Sequence, residues 1–133
     1  MNKALDSTEL SPDELVKAEQ VLRIELAGAY RLVDYFGWCE LIYGHLTAHV
    51  PGPEPHFLIN PYGLNYDEVT ASNLVKIDLD GKIVEPTDHQ VNEAGFIIHS
   101  AIHMQPKTQN HVVMHTHSRS GMAIAALKAG LLP

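Results

Sequence analysis

Two imidazoles two residues apart close the run "HVVMHTHS", residues 111–118. In an extended chain, residues i and i+2 face the same way, so His115 and His117 project together from one face. Val112, Met114 and Thr116 project from the other. Two neutral imidazoles held side by side on stiff backbone suit a borderline divalent ion such as Zn²⁺. A catalytic zinc typically takes three protein ligands and keeps one position for water or substrate, so a further ligand is required. Nine histidines in 133 residues also raise the chance of an H-x-H pair, and spacing alone leaves open an ordinary polar strand end.

The other histidines carry weaker signals. His99 and His103 are i,i+4 on a predicted helix, a chelating spacing, but Phe96, Ile97, Ile98 and Ile102 surround them and point to a partly buried structural role. His45 and His49 flank "LTA", and His56 and His89 fall in loops. His111 is in phase with His115 but four residues earlier, too far along a strand at about 3.3 Å per residue to share one ion. Glu93 begins a helix, where the dipole favours its ionised form. It serves either that helix alone or as a general base beside a metal-bound substrate. The physics of the residue by itself favours the first reading.

These side chains need elements to hold them. "SPDE" offers Ser11 as N-cap, Pro12 at N1 and Glu14 for a capping box. Apolar residues then recur at Leu15, Ala18, Leu22, Leu26, Ala29, Val33 and Phe36, which predicts a helix over 12–36 with Gly37 as its cap and a break near Gly28. "ELIYGHLTAHVPG" reads as extended chain interrupted at Gly44, and "HFLINP" as a buried strand. Thr70 can cap a short turn. "VKIDLDGKIVEP" alternates around Asp80-Gly81, a hairpin signal. Asn92 caps a helix over "EAGFIIHSAIHM" that Pro106 ends. "NHVVMHTH" is a strand, followed by a helix from Ser118 to Gly130. This order predicts a mixed α/β domain with a largely antiparallel sheet.

Composition removes several classes of function. A chain of 133 residues, 45% of them hydrophobic, is one domain with enough apolar material for a core. No apolar run approaches about eighteen residues, so no membrane span is expected. The polar, acidic N-terminus has no apolar h-region of a secretory signal. Cys39 stands alone, which excludes an intrachain disulfide, and together these features place the chain in the cytoplasm. The net charge is −7, and the nine Lys and Arg residues are scattered. That argues against a nucleic-acid groove and against an anionic membrane surface.

Three segments in order, "HFLINPYGLNYDEVTASNLVKIDLDGKIVE", "VNEAGFIIHSAIH" and "VVMHTHSRSGMAIAALKAGLLP", resemble the class II aldolase/adducin family from about residue 13 to 133. The wording is closest to the adducin-head branch and its bacterial relatives. The resemblance implies a three-layer α/β/α domain around a central, mostly antiparallel sheet. It also implies zinc, or another divalent metal, held by the two histidines of H-x-H and a third histidine downstream. His115 and His117 match the pair, and the third ligand is expected beyond Pro133. The chain is therefore expected to be one domain, residues 1–133, incomplete at its C-terminal end, with a loosely held leader over 1–11.

In the family's sugar-phosphate aldolases the metal acts as a Lewis acid on a hydroxy-carbonyl unit, and a glutamate near the helix before H-x-H moves the proton. Glu93 is the matching candidate for the catalytic acid/base. The phosphate loop departs from the family. Its G-N-x-[ST] becomes "GHLT", with His45 for the asparagine and Thr47 keeping a hydroxyl. The S-S-E motif becomes "VNE", with Asn92 as partial substitute, and the small-residue loop survives as "NPYG", ending at Gly63. A dianionic phosphate wants several convergent donors, and half are gone. His45, Thr47, Gly63 and Asn92 are thus expected to line a site for a small, non-phosphorylated hydroxy-carbonyl compound. Family enzymes are homotetramers, so a homo-oligomer is expected. The alternative is an adducin-like, non-catalytic assembly domain. Adducins use it as a head in the membrane skeleton, with actin and spectrin as partners. This chain has no basic tail, and that partnership is not carried over.

Overall fold

The first helix starts as its residue types dictate. The Glu14 carboxylate accepts the Ser11 backbone N–H at 2.8 Å and the Ser11 hydroxyl at 2.6 Å, which removes an orphan donor from the helix start. In the computed structural model, which describes residues 10–105 and 110–131, this helix is α1 (Pro12–Tyr35). It runs unbroken through Gly28. The expected break does not occur, because Ala27 and Tyr30 on either side are buried and hold the helix to the sheet. Phe36 ends the helix, and Gly37 follows at φ 65°, a conformation that glycine adopts at little cost.

Among the described residues four strands follow: β1 (His45–His49), β2 (Phe57–Ile59), β3 (Val75–Ile77) and, after α2 (Glu93–His103), β4 (Val112–His115). A short 3-10 turn (Tyr66–Glu68) separates β2 from β3, and α3 (Arg119–Ala125) follows β4. The sheet order is β3-β2-β1-β4, with every pairing antiparallel. Side-chain alternation sorts the strands into two cores. Leu46, Ala48, Val50 and Leu58 pack with Leu26, Ala27, Tyr30 and Val33 of α1. Phe57, Ile59, Val75 and Ile77, from the opposite face, pack with Phe96 of α2. The result is the expected α/β/α arrangement, with a helix on each face of an antiparallel sheet.

Polar contacts fix α1 on its face. The buried Tyr30 hydroxyl accepts the Leu46 N–H at 2.7 Å and lies 2.8 Å from Asn60 Oδ1. Toward the outer strand, Arg23 meets Glu19 and Glu85 at 2.8 and 2.6 Å, and Lys76 meets the same two carboxylates at 2.6 and 3.1 Å.

Some elements are shorter than their patterns suggest. The Asp80-Gly81 turn forms, with Gly81 at φ 79°, but the returning chain keeps only an isolated Ile77–Ile83 bridge. The helix expected to reach Gly130 stops at Ala125. None of its residues is buried, and a short helix without tertiary burial is marginal. Of the leader expected over 1–11, residues 1–9 lie outside the described residues, as do Pro106 and the final Leu132 and Pro133, while Ser11 is fixed as the N-cap of α1. Among the described residues no helix is long and apolar enough to cross a membrane.

Candidate metal centre

The antiparallel pairing of β1 with β4 sets His45 directly opposite His115. Gly44 makes the close approach possible. A Cβ at this position would lie 2.7 Å from the His115 carbonyl oxygen and 2.5 Å from the Tyr66 hydroxyl, and its φ is 84°. Only glycine satisfies both demands. The imidazoles of His45 and His115 meet edge to face, with centroids 5.3 Å apart.

His117 lies just past the end of β4, yet its ring remains beside that of His115, at a centroid distance of 4.9 Å. The turn after α1 holds it. The His117 N–H donates to the Trp38 carbonyl at 2.8 Å. Its Nδ1 lies 2.8 Å from Glu40 Oε2. Tyr43 lies nearly parallel to the ring, at 12° and 6.3 Å. A carboxylate only accepts, so Nδ1 carries the hydrogen, and in the ring's neutral form the lone pair is on Nε2. Desolvation, and then the charge that His117 could carry, hold His115 below the ordinary imidazole pKa. Both effects favour the neutral form that a metal requires.

Behind this pair sits a second, buried tier. The His45 ring lies 4.0 Å from that of His99, and its Nε2 donates to the Gly95 carbonyl at 3.0 Å. Burial first, then the charges that His115 and His117 could carry, push the His45 pKa down. Thr47, 1% exposed, places its hydroxyl 2.7 Å from both His99 Nδ1 and His103 Nε2. His103 Nδ1 lies 2.6 Å from the Asn110 carbonyl. These partners fix the hydrogen positions. The Asn110 carbonyl only accepts, so His103 donates from Nδ1 and accepts at Nε2 from the Thr47 hydroxyl. Thr47 in turn accepts from His99 Nδ1. Burial, followed by the neighbouring His45, His103 and His115, pushes the His99 pKa down to about 3.

The structure thus brings His45, His115 and His117 into one cluster, with Thr47 one layer behind. Asn92 caps α2, its Oδ1 accepting the N–H groups of Ala94 at 3.1 Å and Gly95 at 3.4 Å. The same helical turn carries the Gly95 carbonyl that holds His45. Glu93 is exposed on the first turn of α2 and lines a cleft of about 410 Å³ with Asp80, Gly81, Lys82, Val91, Phe96 and Ile97. No histidine lines that cleft. Gly63 sits in an exposed turn at φ 93°, and the adjacent Tyr62 N–H donates to Gln90 at 2.8 Å, in the loop leading to α2.

The i,i+4 spacing marks His99 and His103 as a helical pair, but nothing in the sequence marks their bond to Thr47. Nothing local marks Glu40, a partner 77 residues from His117. Among the described residues no three His, Cys, Asp or Glu side chains form a ready metal-binding group. This cluster therefore fits a metal as two imidazoles, one of them already oriented by a carboxylate, and requires further donors.

The sequence pattern of the Class II Aldolase and Adducin N-terminal domain matches residues 24–133. A Caulobacter vibrioides protein, whose name groups it with the class 2 aldolases without asserting the reaction, is 51% identical over 117 residues. The match covers 88% of this chain and 45% of that protein. Alpha-adducin of Rattus norvegicus is 50% identical over 119 residues, which is 88% of this chain and 16% of the adducin. An aldolase II superfamily protein from Pseudomonas syringae superposes with a TM-score of 0.81 at 50% identity, covering 95% of this chain and 49% of that one. An L-fuculose 1-phosphate aldolase from Glaciozyma antarctica does so with a TM-score of 0.78 at 30% identity, covering 90% and 49%. The chain spans less than half the length of each of these relatives.

Proposed function

Because the chain belongs to the class II aldolase and adducin family, we propose that it provides the metal-holding part of a divalent-metal-dependent carbon–carbon lyase. The substrate class is a small, non-phosphorylated hydroxy-carbonyl compound. The observation that carries this reading is the H-x-H pair itself, with adjacent rings, His117 fixed by Glu40 and His115 held below the ordinary imidazole pKa by desolvation. A divalent ion such as zinc, when bound, supplies Lewis-acid polarisation of carbonyl and hydroxyl oxygens.

The chain's own residues divide the remaining work. His115 and His117 donate imidazole nitrogens. His45, held by the Gly95 carbonyl, packs against His115 and keeps that ring in place. Thr47 fixes His99 and His103 behind it, and Asn92 fixes the helical turn that carries both Gly95 and Glu93. Glu93 holds and moves the proton at its carboxylate, and Gly63 belongs to the loop beside the entry to α2. Support for a substrate without phosphate comes from the same bonds. The His45 ring nitrogen and the Thr47 hydroxyl, which would face an anion, are already engaged inside the protein. The family resemblance adds a homo-oligomer, and the composition adds the cytoplasm.

A second reading has its own support. The chain is 50% identical to alpha-adducin over 88% of its length, which favours a non-catalytic assembly domain with residual histidines.

Metal content separates the two. Purified protein, as residues 1–133 and in a version that also carries the expected third ligand, is analysed by plasma mass spectrometry beside His115→Ala/His117→Ala. Near-stoichiometric zinc that disappears in the double variant is expected. It would justify a retro-aldol screen in which Glu93→Gln lowers turnover by about 10²–10⁴-fold. Absence of metal from protein that also carries the expected third ligand sinks the lyase reading and leaves the assembly domain, whereas absence from residues 1–133 alone shows only that two imidazoles do not suffice.

A further inference from the structure

The turn between α1 and β1 is built around His117. Its backbone closes tightly, with the Tyr43 N–H donating to the Glu40 carbonyl at 2.9 Å. Leu41, at the bend, has φ 52° and is the one non-glycine with positive φ among the described residues. A leucine held in the left-handed region is strained, and such strain persists only where surrounding contacts impose it. Here they impose a turn that sets Glu40 against the edge of the His117 ring and Tyr43 beside its face, while Trp38 takes its backbone N–H.

We infer that Glu40 is the positioning residue for His117, holding the imidazole as its Nδ1–H tautomer and leaving Nε2 with the lone pair a divalent ion needs. Stability is a poor explanation for the contact. The Glu40 side chain is 52% exposed, and ion pairs of that kind contribute little to folding. Orientation is a better one. An isolated imidazole in water favours the opposite, Nε2–H, tautomer, which would hide the forward nitrogen behind a hydrogen. A carboxylate on Nδ1 reverses that preference, restricts ring rotation and raises the basicity of the ligating nitrogen. The H-x-H motif does not contain this residue. The inference concerning metal rests on the proposed metal-dependent reading, whereas the tautomer does not.

The test is two measurements on the whole chain. Multiple-bond ¹⁵N–¹H correlation of the imidazoles, at a pH above their titration range and without metal, reads the tautomer of His117. Competition with a chelating dye reads zinc affinity. The wild type is expected to show His117 as Nδ1–H. Glu40→Ala should move it to Nε2–H or to a mixture, with its melting temperature nearly unchanged. Zinc affinity should fall about 10–100-fold in Glu40→Ala and less in Glu40→Gln, whose amide oxygen still accepts. An unchanged His117 tautomer in Glu40→Ala overturns the inference, whatever zinc does. A changed tautomer with undiminished zinc affinity also overturns it. A changed tautomer with no zinc bound by any variant, wild type included, supports Glu40 as the orienting group and shows that the pair holds the ion only once further donors are supplied.

Discussion

His45 and His115, 70 residues apart in sequence, face each other across the β1–β4 ladder with their rings edge to face at 5.3 Å. The pair links the helix on one face of the sheet to the candidate metal ligands. On one side His45 donates to the Gly95 carbonyl of α2, and on the other its ring abuts His115, whose ring in turn abuts His117. Displacing α2 therefore displaces the H-x-H pair through a single buried imidazole.

Gly95→Ala tests that link with opposing magnitudes. In a helix interior the change ordinarily gains about 1 kcal/mol. At this position a Cβ would lie 2.7 Å from His45 Cε1 and 2.8 Å from Nε2, closer than real packing allows. Overpacking of this kind costs about 1–3 kcal/mol, so the variant should be less stable than the wild type despite its better helix former. Urea midpoints check the sign, and the His115 ring resonances should shift with it. A variant more stable than the wild type would show that His45 does not rest on this turn.

The parts of this arrangement that depend on neighbouring residues were legible in the sequence. Ser11, Pro12 and Glu14 start α1, and Asn92 starts α2, because caps act within three residues. The face-sharing of His115 and His117 follows from chain periodicity and holds even though His117 lies past the strand. What escaped depends on register. Thr47 reads locally as a loop hydroxyl available to a ligand, but pairing within the sheet and packing of α2 place it between His99 and His103. His45 reads as the replacement of an asparagine, and only the β1–β4 register makes it a neighbour of His115. Glu40 sits in a turn whose conformation, with Leu41 at positive φ, no propensity would suggest.

Thr47 offers a prediction in which strand propensity and hydrogen bonding disagree. Valine is the better strand former and matches threonine in shape. It would nevertheless leave the His99 Nδ1–H and the His103 Nε2 acceptor without their partner in a buried place. Each unsatisfied group costs about 1–3 kcal/mol. Serine keeps the hydroxyl and loses one methyl, about 1 kcal/mol by burial of a single carbon. Thr47→Val should therefore be destabilised more than Thr47→Ser, the reverse of their strand preferences. Chemical denaturation of the two variants side by side decides it, and equal stability would mean that the hydroxyl is not shared between the two rings.

Acid should weaken this protein earlier than carboxylates alone would allow. His99 is pushed from the ordinary imidazole value of 6.5 down to about 3, chiefly by burial and then by His45, His103 and His115. Burial likewise lowers the pKa values of His45, His49 and His103. In the pH range between the folded and unfolded values, the unfolded chain binds more protons, so unfolding free energy rises with pH. The stabilisation is complete above about 6.5 and is lost progressively as pH falls below it, by about 1.4 kcal/mol per unit for each histidine that stays neutral when folded. Glu19 acts lower on the scale. Burial opposes its ionisation, but hydrogen bonds from Lys76 and Arg23 outweigh that and leave its pKa below 4.5, so its contribution disappears only under more acidic conditions. The interval from about pH 6.5 to 5 consequently isolates the histidines. Urea midpoints across it should fall steeply in the wild type, and the slope should flatten by about one proton in His99→Gln. An undiminished slope in that variant would assign the acid sensitivity to the remaining histidines and remove His99 from the account.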